Sequence, residues 1–123
     1  MELTLTDYER KVFLDAVHTV GDSGPEERMC LENMIEVVSD SQDIDIADGD
    51  LVFMSLLAEL NSGRPLQLND VEAALAKTIL EENGMLIGDY TGSYGPNVEQ
   101  WGESLEELDL EEATCFSIAD RIS

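Results

Sequence analysis

Three short stretches of this 123-residue chain specify where helices begin, and with that most of what it can fold into. Thr6-Asp7-Tyr8-Glu9, Asn69-Asp70-Val71-Glu72 and Ser104-Leu105-Glu106-Glu107 each place a capping side chain three residues before a Glu. In that box the cap oxygen takes the N3 amide and the Glu carboxylate takes the cap amide. Two donors that a helix start leaves open are thereby satisfied. Apolar residues then return at i, i+3 and i+4, the signature of one buried helical face. Val12, Phe13, Ala16, Val17 and Val20 follow the first box, and Gly21 is expected to stop that helix, at about 6–20. Val71, Ala74, Leu75, Thr78 and Ile79 follow the second, with Asn83-Gly84 as its expected end. Leu105, Leu108, Cys115, Ala119 and Ile122 follow the third, giving a last helix at about 104–121.

Two more helices fit between these. Pro25 suits a first helical position and Glu26 and Glu27 suit a first turn, so a second helix is expected at about 25–39 with Cys30, Leu31, Met34, Ile35 and Val38 inward. A third, at about 50–62 with Asp48 or Asp50 as its cap, is apolar around most of its surface, which predicts a central position. Residues 88–102 carry four glycines and a proline and are expected to form a long irregular loop. Short strands are expected at Met85-Leu86-Ile87 and at Asp43-Ile44-Asp45-Ile46. The predicted fold is therefore mainly α: one domain over 1–123, a compact bundle of about five helices with one or two short strands. At 43% apolar residues the chain has enough greasy side chains for one packed core.

Charge decides the partner. The chain has 28 acidic and six basic residues, a net charge of −22. The acids are blocked: ten with one base in 22–50, and eleven with one base in 81–123. A solvated coat that aids solubility explains acidity alone, as does an adaptation to salt, but salt adaptation predicts an even spread. Six cations against 28 anions exclude direct nucleic-acid binding. An anionic membrane surface would repel the chain, and no apolar run approaches the ~20 residues of a membrane helix. No basic, apolar leader opens the sequence, so a cytoplasmic protein is expected, with Cys30 and Cys115 as reduced thiols.

Candidate chemistry is sparse. His18 is the single histidine, placed near a helix end, and no nucleophile motif, phosphate loop or dinucleotide fingerprint is present, so no enzyme and no cofactor are expected. The aspartates Asp40, Asp43, Asp45, Asp48 and Asp50 invite a calcium reading. The spacing fails it, because Gly49 at loop position six would put Ile44 where an Asp is required. The densest acids are Glu103, Glu106, Glu107, Asp109, Glu111 and Glu112, with like charges three and four residues apart that cost a few tenths of a kcal/mol per pair. A structural helix has no need of such crowding. Tyr90, Tyr94 and Trp101 lie nearby, either as packing pegs or as binding anchors.

Duplex DNA carries one charge per ~1.7 Å of axis, so 22 charges correspond to roughly 37 Å of duplex, close to the ~35 Å diameter of a domain this size. In composition the chain resembles the small phage-encoded DNA mimics that block restriction, CRISPR or repair enzymes, a likeness of charge and not of motif. That resemblance implies an inhibitor occupying the DNA- or RNA-binding cleft of a basic protein. The two acidic groups named above would make the contacts, with the three aromatics as accessory anchors. Two alternatives stand beside it: an immunity protein or antitoxin that shields a basic toxin or nuclease, and a generic interaction adaptor. A homodimer that extends the acidic surface, paired through helical faces or the Met-Leu-Ile segment, is a further expectation.

Overall fold

The computed structural model describes residues 1–42 and 48–122. It is mainly α, with five α-helices: α1 (Asp7–Asp22), α2 (Leu31–Gln42), α3 (Gly49–Asn61), α4 (Asp70–Tyr94) and α5 (Leu105–Arg121). A 3-10 helix, Gly95–Trp101, joins the last two. Two very short strands, β1 (Glu2–Leu3) and β2 (Leu66–Gln67), pair antiparallel with Leu3 opposite Leu66. The strands therefore form elsewhere than expected: Met85-Leu86-Ile87 is helical within α4, and Asp43 to Ile46 lies outside the described residues. With that segment helical, strand pairing through it cannot join two copies.

The capping signals act as read. Thr6 Oγ1 accepts the Glu9 amide at 3.1 Å and Glu9 accepts the Thr6 amide at 2.9 Å. Asn69 and Glu72 close the same box at 2.8 and 3.1 Å. At Ser104 only half forms: its hydroxyl accepts the Glu107 amide at 3.3 Å, with no return bond from Glu107 among the described residues. Asp48, not Asp50, caps α3, accepting the Leu51 amide at 3.3 Å.

The centre of the molecule is α4. At 25 residues it is about 37 Å long, and α1, α2, α3 and α5 all pack on it. Ala73, Leu75, Ala76, Ile79 and Leu80 bury several of its sides at once. Around them lie Phe13, Val17, Met34, Leu56, Leu60, Leu66, Ile118 and Ile122. The expectation that the third helix is central fails. Of its apolar residues only Phe53, Leu56 and Leu60 are buried, while Leu51 and Met54 are 67% and 58% exposed. Hydrophobicity all round a helix shows that it can be buried, not that enough neighbours exist to cover it.

The largest correction concerns residues 84–102. The chain does not loop there; α4 continues through Gly84, Gly88 and Gly92 to Tyr94, and residues 95–101 wind into the 3-10 helix. The three glycines are spaced by four, which sets them on one helical face. A Cβ at Gly84 would meet the Phe116 ring at 2.8 Å, and one at Gly88 would meet the Glu112 carboxylate at 3.0 Å. The first two are small because α5 crosses them closely. Within 84–102 only Gly95 and Gly102, at φ +51° and +81°, use the positive-φ freedom that marks a turn, as Gly63 at +74° does after α3.

Two boundaries also move. Gly21 does not stop α1, which runs to Asp22, and Ser23 caps it by donating its hydroxyl to the Thr19 carbonyl at 2.6 Å. Pro25 does not open α2. Residues 24–30 form successive turns, with Glu27 and Cys30 amides bonded to the Gly24 and Glu27 carbonyls at 3.1 Å each. Those turns deliver Arg28 to α4, where it pairs with Glu82 at 2.9 Å and Asp89 at 3.3 Å.

Candidate functional site

The acidic group on α5 is presented on three sides of the helix. Glu106 faces solvent. Glu112 turns toward α4, over Gly88. Glu107 and Glu111 turn toward α1, where both raise the pKa of the Tyr8 phenol, although burial is the larger cause. Asp109 is exposed on the other side of the helix, between Glu106 and Glu112. The helices α1 and α5 run antiparallel: Arg121 reaches Glu9 at 3.2 Å and the Thr4 carbonyl at 3.0 Å, while Asp15, further along α1, faces Glu111. Partial burial and then the nearby Asp15 hold the Glu111 carboxyl above its ordinary value; Lys11 opposes the shift, and Glu107 and Glu103 add to it. An acid whose neighbours favour its proton sits in a concentrated negative field.

Charge density gives this region its character. The eight helical residues from Leu105 to Glu112 span about 12 Å. Their five carboxylates therefore give one charge per ~2.4 Å, between ~3.4 Å for one DNA strand and ~1.7 Å for duplex, and Glu103 adds a sixth just before the cap. None of the six takes part in an ion pair among the described residues. Four of the six cations are occupied elsewhere, while Lys11 lies near enough to Glu111 to oppose its shift. Arg28 and Arg121 make the ion pairs just described, Arg10 donates to the carbonyls of Leu60 and Arg64 at 2.6 and 2.8 Å, and Lys77 donates to that of Ile122 at 3.2 Å.

The aromatic residues join this patch from a helix instead of a loop. Tyr90 and Tyr94 are one turn apart on α4, with ring centroids 5.2 Å apart and planes tilted by 57°. Trp101, at the end of the 3-10 helix, meets Tyr94 edge-on at 5.3 Å. Tyr90 donates its hydroxyl to Glu103 at 2.7 Å, and that bond is the main reason its phenol lies above its ordinary pKa. Tyr94 and Trp101 remain about half exposed. The three rings thus form a supported ladder tied through Tyr90 to Glu103, just before α5.

The aspartate group lies apart. Asp40 is exposed near the end of α2, and Asp48 and Asp50 stand at the start of α3. Asp43 and Asp45 lie outside the described residues. Both α2 and α3 pack on α4 and on each other, whereas α5 packs on α4, α1 and the 3-10 helix. The two acidic groups therefore belong to different faces. No group of three or more His, Cys, Asp or Glu among the described residues is arranged to hold a metal ion. His18 sits on the outer face of α1, near Asp15, Asp22 and Glu27. Cys30 and Cys115 are buried free thiols, and burial pushes Cys115 up in pKa. No helix among the described residues is long and apolar enough to cross a membrane.

Sequence reasoning missed two features. One is the contribution of α1, through Tyr8 and Asp15, to the α5 patch. Its trace was the row Lys11, Asp15, His18, Asp22, polar at i, i+4, i+7 and i+11. The other is an open groove of about 750 Å³ between the end of α1, α2 and the start of α3. Comparison of the chain with protein-family models, with curated proteins and with solved structures finds no match.

Proposed function

We propose that this protein is an acidic inhibitor that occupies the basic nucleic-acid-binding cleft of a target protein, its carboxylates standing where phosphates would. The observation that supports this reading is the crowding of five carboxylates on α5 and a sixth, Glu103, just before its cap, none in an ion pair among the described residues. Such an arrangement stores like-charge repulsion, and a surface lined with Lys and Arg relieves it. The charge steers a fast encounter, and the exposed faces of Tyr94 and Trp101 supply the desolvated contact that slows release. By this reading the target is an enzyme of restriction, CRISPR immunity or repair, and the inhibitor touches no nucleic acid itself.

The test is competition. Added protein should displace DNA or RNA from the target, with an affinity that falls steeply as salt rises. Combined Glu106→Lys, Glu107→Lys and Glu111→Lys should abolish displacement without unfolding the chain, since all three acids are at least partly exposed. A target that holds its nucleic acid and this protein at the same time would overturn the proposal.

A further inference from the structure

We propose that the groove between α1, α2 and α3 is a second docking site, and that its occupant is a cationic amphipathic helix of a partner protein. This inference stands apart from the α5 surface, because the groove lies on the α2 and α3 side of α4. Its floor is apolar: Val20 from α1, Leu31 and Ile35 from α2, and Phe53 from α3. Its lining also includes Glu32 and Glu36, one turn apart on α2, and Asp48 and Asp50 at the start of α3, where Asp48 also caps the Leu51 amide. None of the four is ion-paired, and no Lys or Arg among the described residues lines the groove.

Gly49 sets the geometry. A Cβ there would come to 2.8 Å from Ile35 Cγ1, so the first residue of α3 sits directly against α2 and closes the floor. Beyond Asp50 the same helix offers Met54 one turn on, and Leu51 next to that, both largely exposed. The apolar landing area thus extends past the groove's edge. At about 750 Å³ the groove is of the size that takes one face of a ligand with two or three apolar anchors.

Charge selects the occupant. A helix with apolar residues at i, i+3 and i+4 and Lys or Arg on the flanks fills the floor and meets both rows of carboxylates. A second copy of this chain cannot supply that pattern, because Arg10, Arg28, Lys77 and Arg121, four of its six basic residues, are already engaged. Nucleic acid and anionic lipid are repelled. A plain polycation leaves the floor unfilled.

The experiment uses the ¹⁵N-labelled protein and three synthetic 14-residue peptides: a Leu/Lys helix, the same helix with Glu for Lys, and an all-Lys peptide. The Leu/Lys helix should shift the amide signals of Val20, Ile35, Gly49 and Phe53, and the Leu/Glu helix should leave them unmoved. The all-Lys peptide should move signals of α5 and spare the groove floor. Combined Glu32→Lys and Glu36→Lys, both at exposed positions outside the two acidic groups assigned to the inhibitor surface, should weaken the Leu/Lys helix about tenfold or more. Displacement of nucleic acid from the α5 target should be unchanged by that variant, so the two proposals fail separately. Shifts confined to α5, equal shifts of the floor by all-Lys, or an unchanged affinity of the double variant would each overturn the docking site.

Discussion

A Cβ on Gly84 would stand 2.8 Å from Cε2 of Phe116 and 2.9 Å from its Cζ, closer than side chains tolerate. Gly84 lies mid-helix and fully buried, and it lets α5 approach α4 along that turn. Two effects oppose each other on substitution. Ala in a helix interior is favoured over Gly by about 0.5–1 kcal/mol, and overpacking against a ring costs typically 1–3 kcal/mol. Overpacking should win, so Gly84→Ala is expected to destabilise by about 1 kcal/mol in urea denaturation. Gly92, on the same face two turns later, has nothing within 4 Å of its Cβ position. Gly92→Ala should therefore stabilise by a few tenths of a kcal/mol. Equal effects at both sites would show that the close crossing at Gly84 does not exist.

Glu72 is 6% exposed and accepts from the Ser55 hydroxyl at 2.7 Å and the Asn69 amide at 3.1 Å. It joins the start of the central helix to α3. Glu72→Ala leaves both donors without their partner and should cost about 1–3 kcal/mol in thermal or urea unfolding. Glu72→Gln keeps an acceptor of similar shape and should recover a large part of that loss.

Glu111 gives stability a pH dependence of definite sign. Its folded pKa is raised above the ordinary 4.5, mainly by burial and then by Asp15. The folded state thus holds the proton more tightly than the unfolded chain, and stability from this group falls as pH rises through the interval above 4.5. Glu111→Gln should stabilise the protein at neutral pH by roughly a few tenths of a kcal/mol, because solvent screens the group. The advantage should vanish once pH falls below the unfolded value. Melting temperatures of both forms between pH 4 and pH 7 would decide it, and a constant difference would remove the assignment.

Trp101 is the chain's single tryptophan, 56% exposed at the edge of the acidic patch. Its fluorescence reports the local potential. Caesium should quench it more efficiently than iodide at the same concentration and low ionic strength, since the field gathers cations and repels anions. The difference should shrink as the Debye length falls from about 10 Å at 0.1 M to about 3 Å at 1 M salt. Equal quenching at low salt would mean that the carboxylates of α5 do not dominate the surface around the ring ladder.

Local chemistry was legible where it acts over a few residues. The boxes at Thr6 and Asn69 and the apolar stripe of α1 could be read directly, and that of α5 in part, with Cys115 and Ala119 buried as read but Ile118 missed and Leu105 and Leu108 only half-buried, because a cap and a periodic face depend only on neighbours along the chain. The density of acids between Glu103 and Glu112 was equally plain. What the residues alone do not contain is who covers whom. Gly84 and Gly88 read as breakers by propensity, yet Phe116 and Glu112 of another helix make them packing residues, and α4 runs on. The third helix read as central by composition, yet the longer α4 took the middle and left Leu51 and Met54 in solvent. Asp15 came beside Glu111, and Tyr90 beside Glu103, only once the helices were docked. The sequence by itself therefore determined helix starts, facial patterning and charge, while tertiary packing decided which glycines bend the chain, which apolar face stays open and which carboxylates share a field.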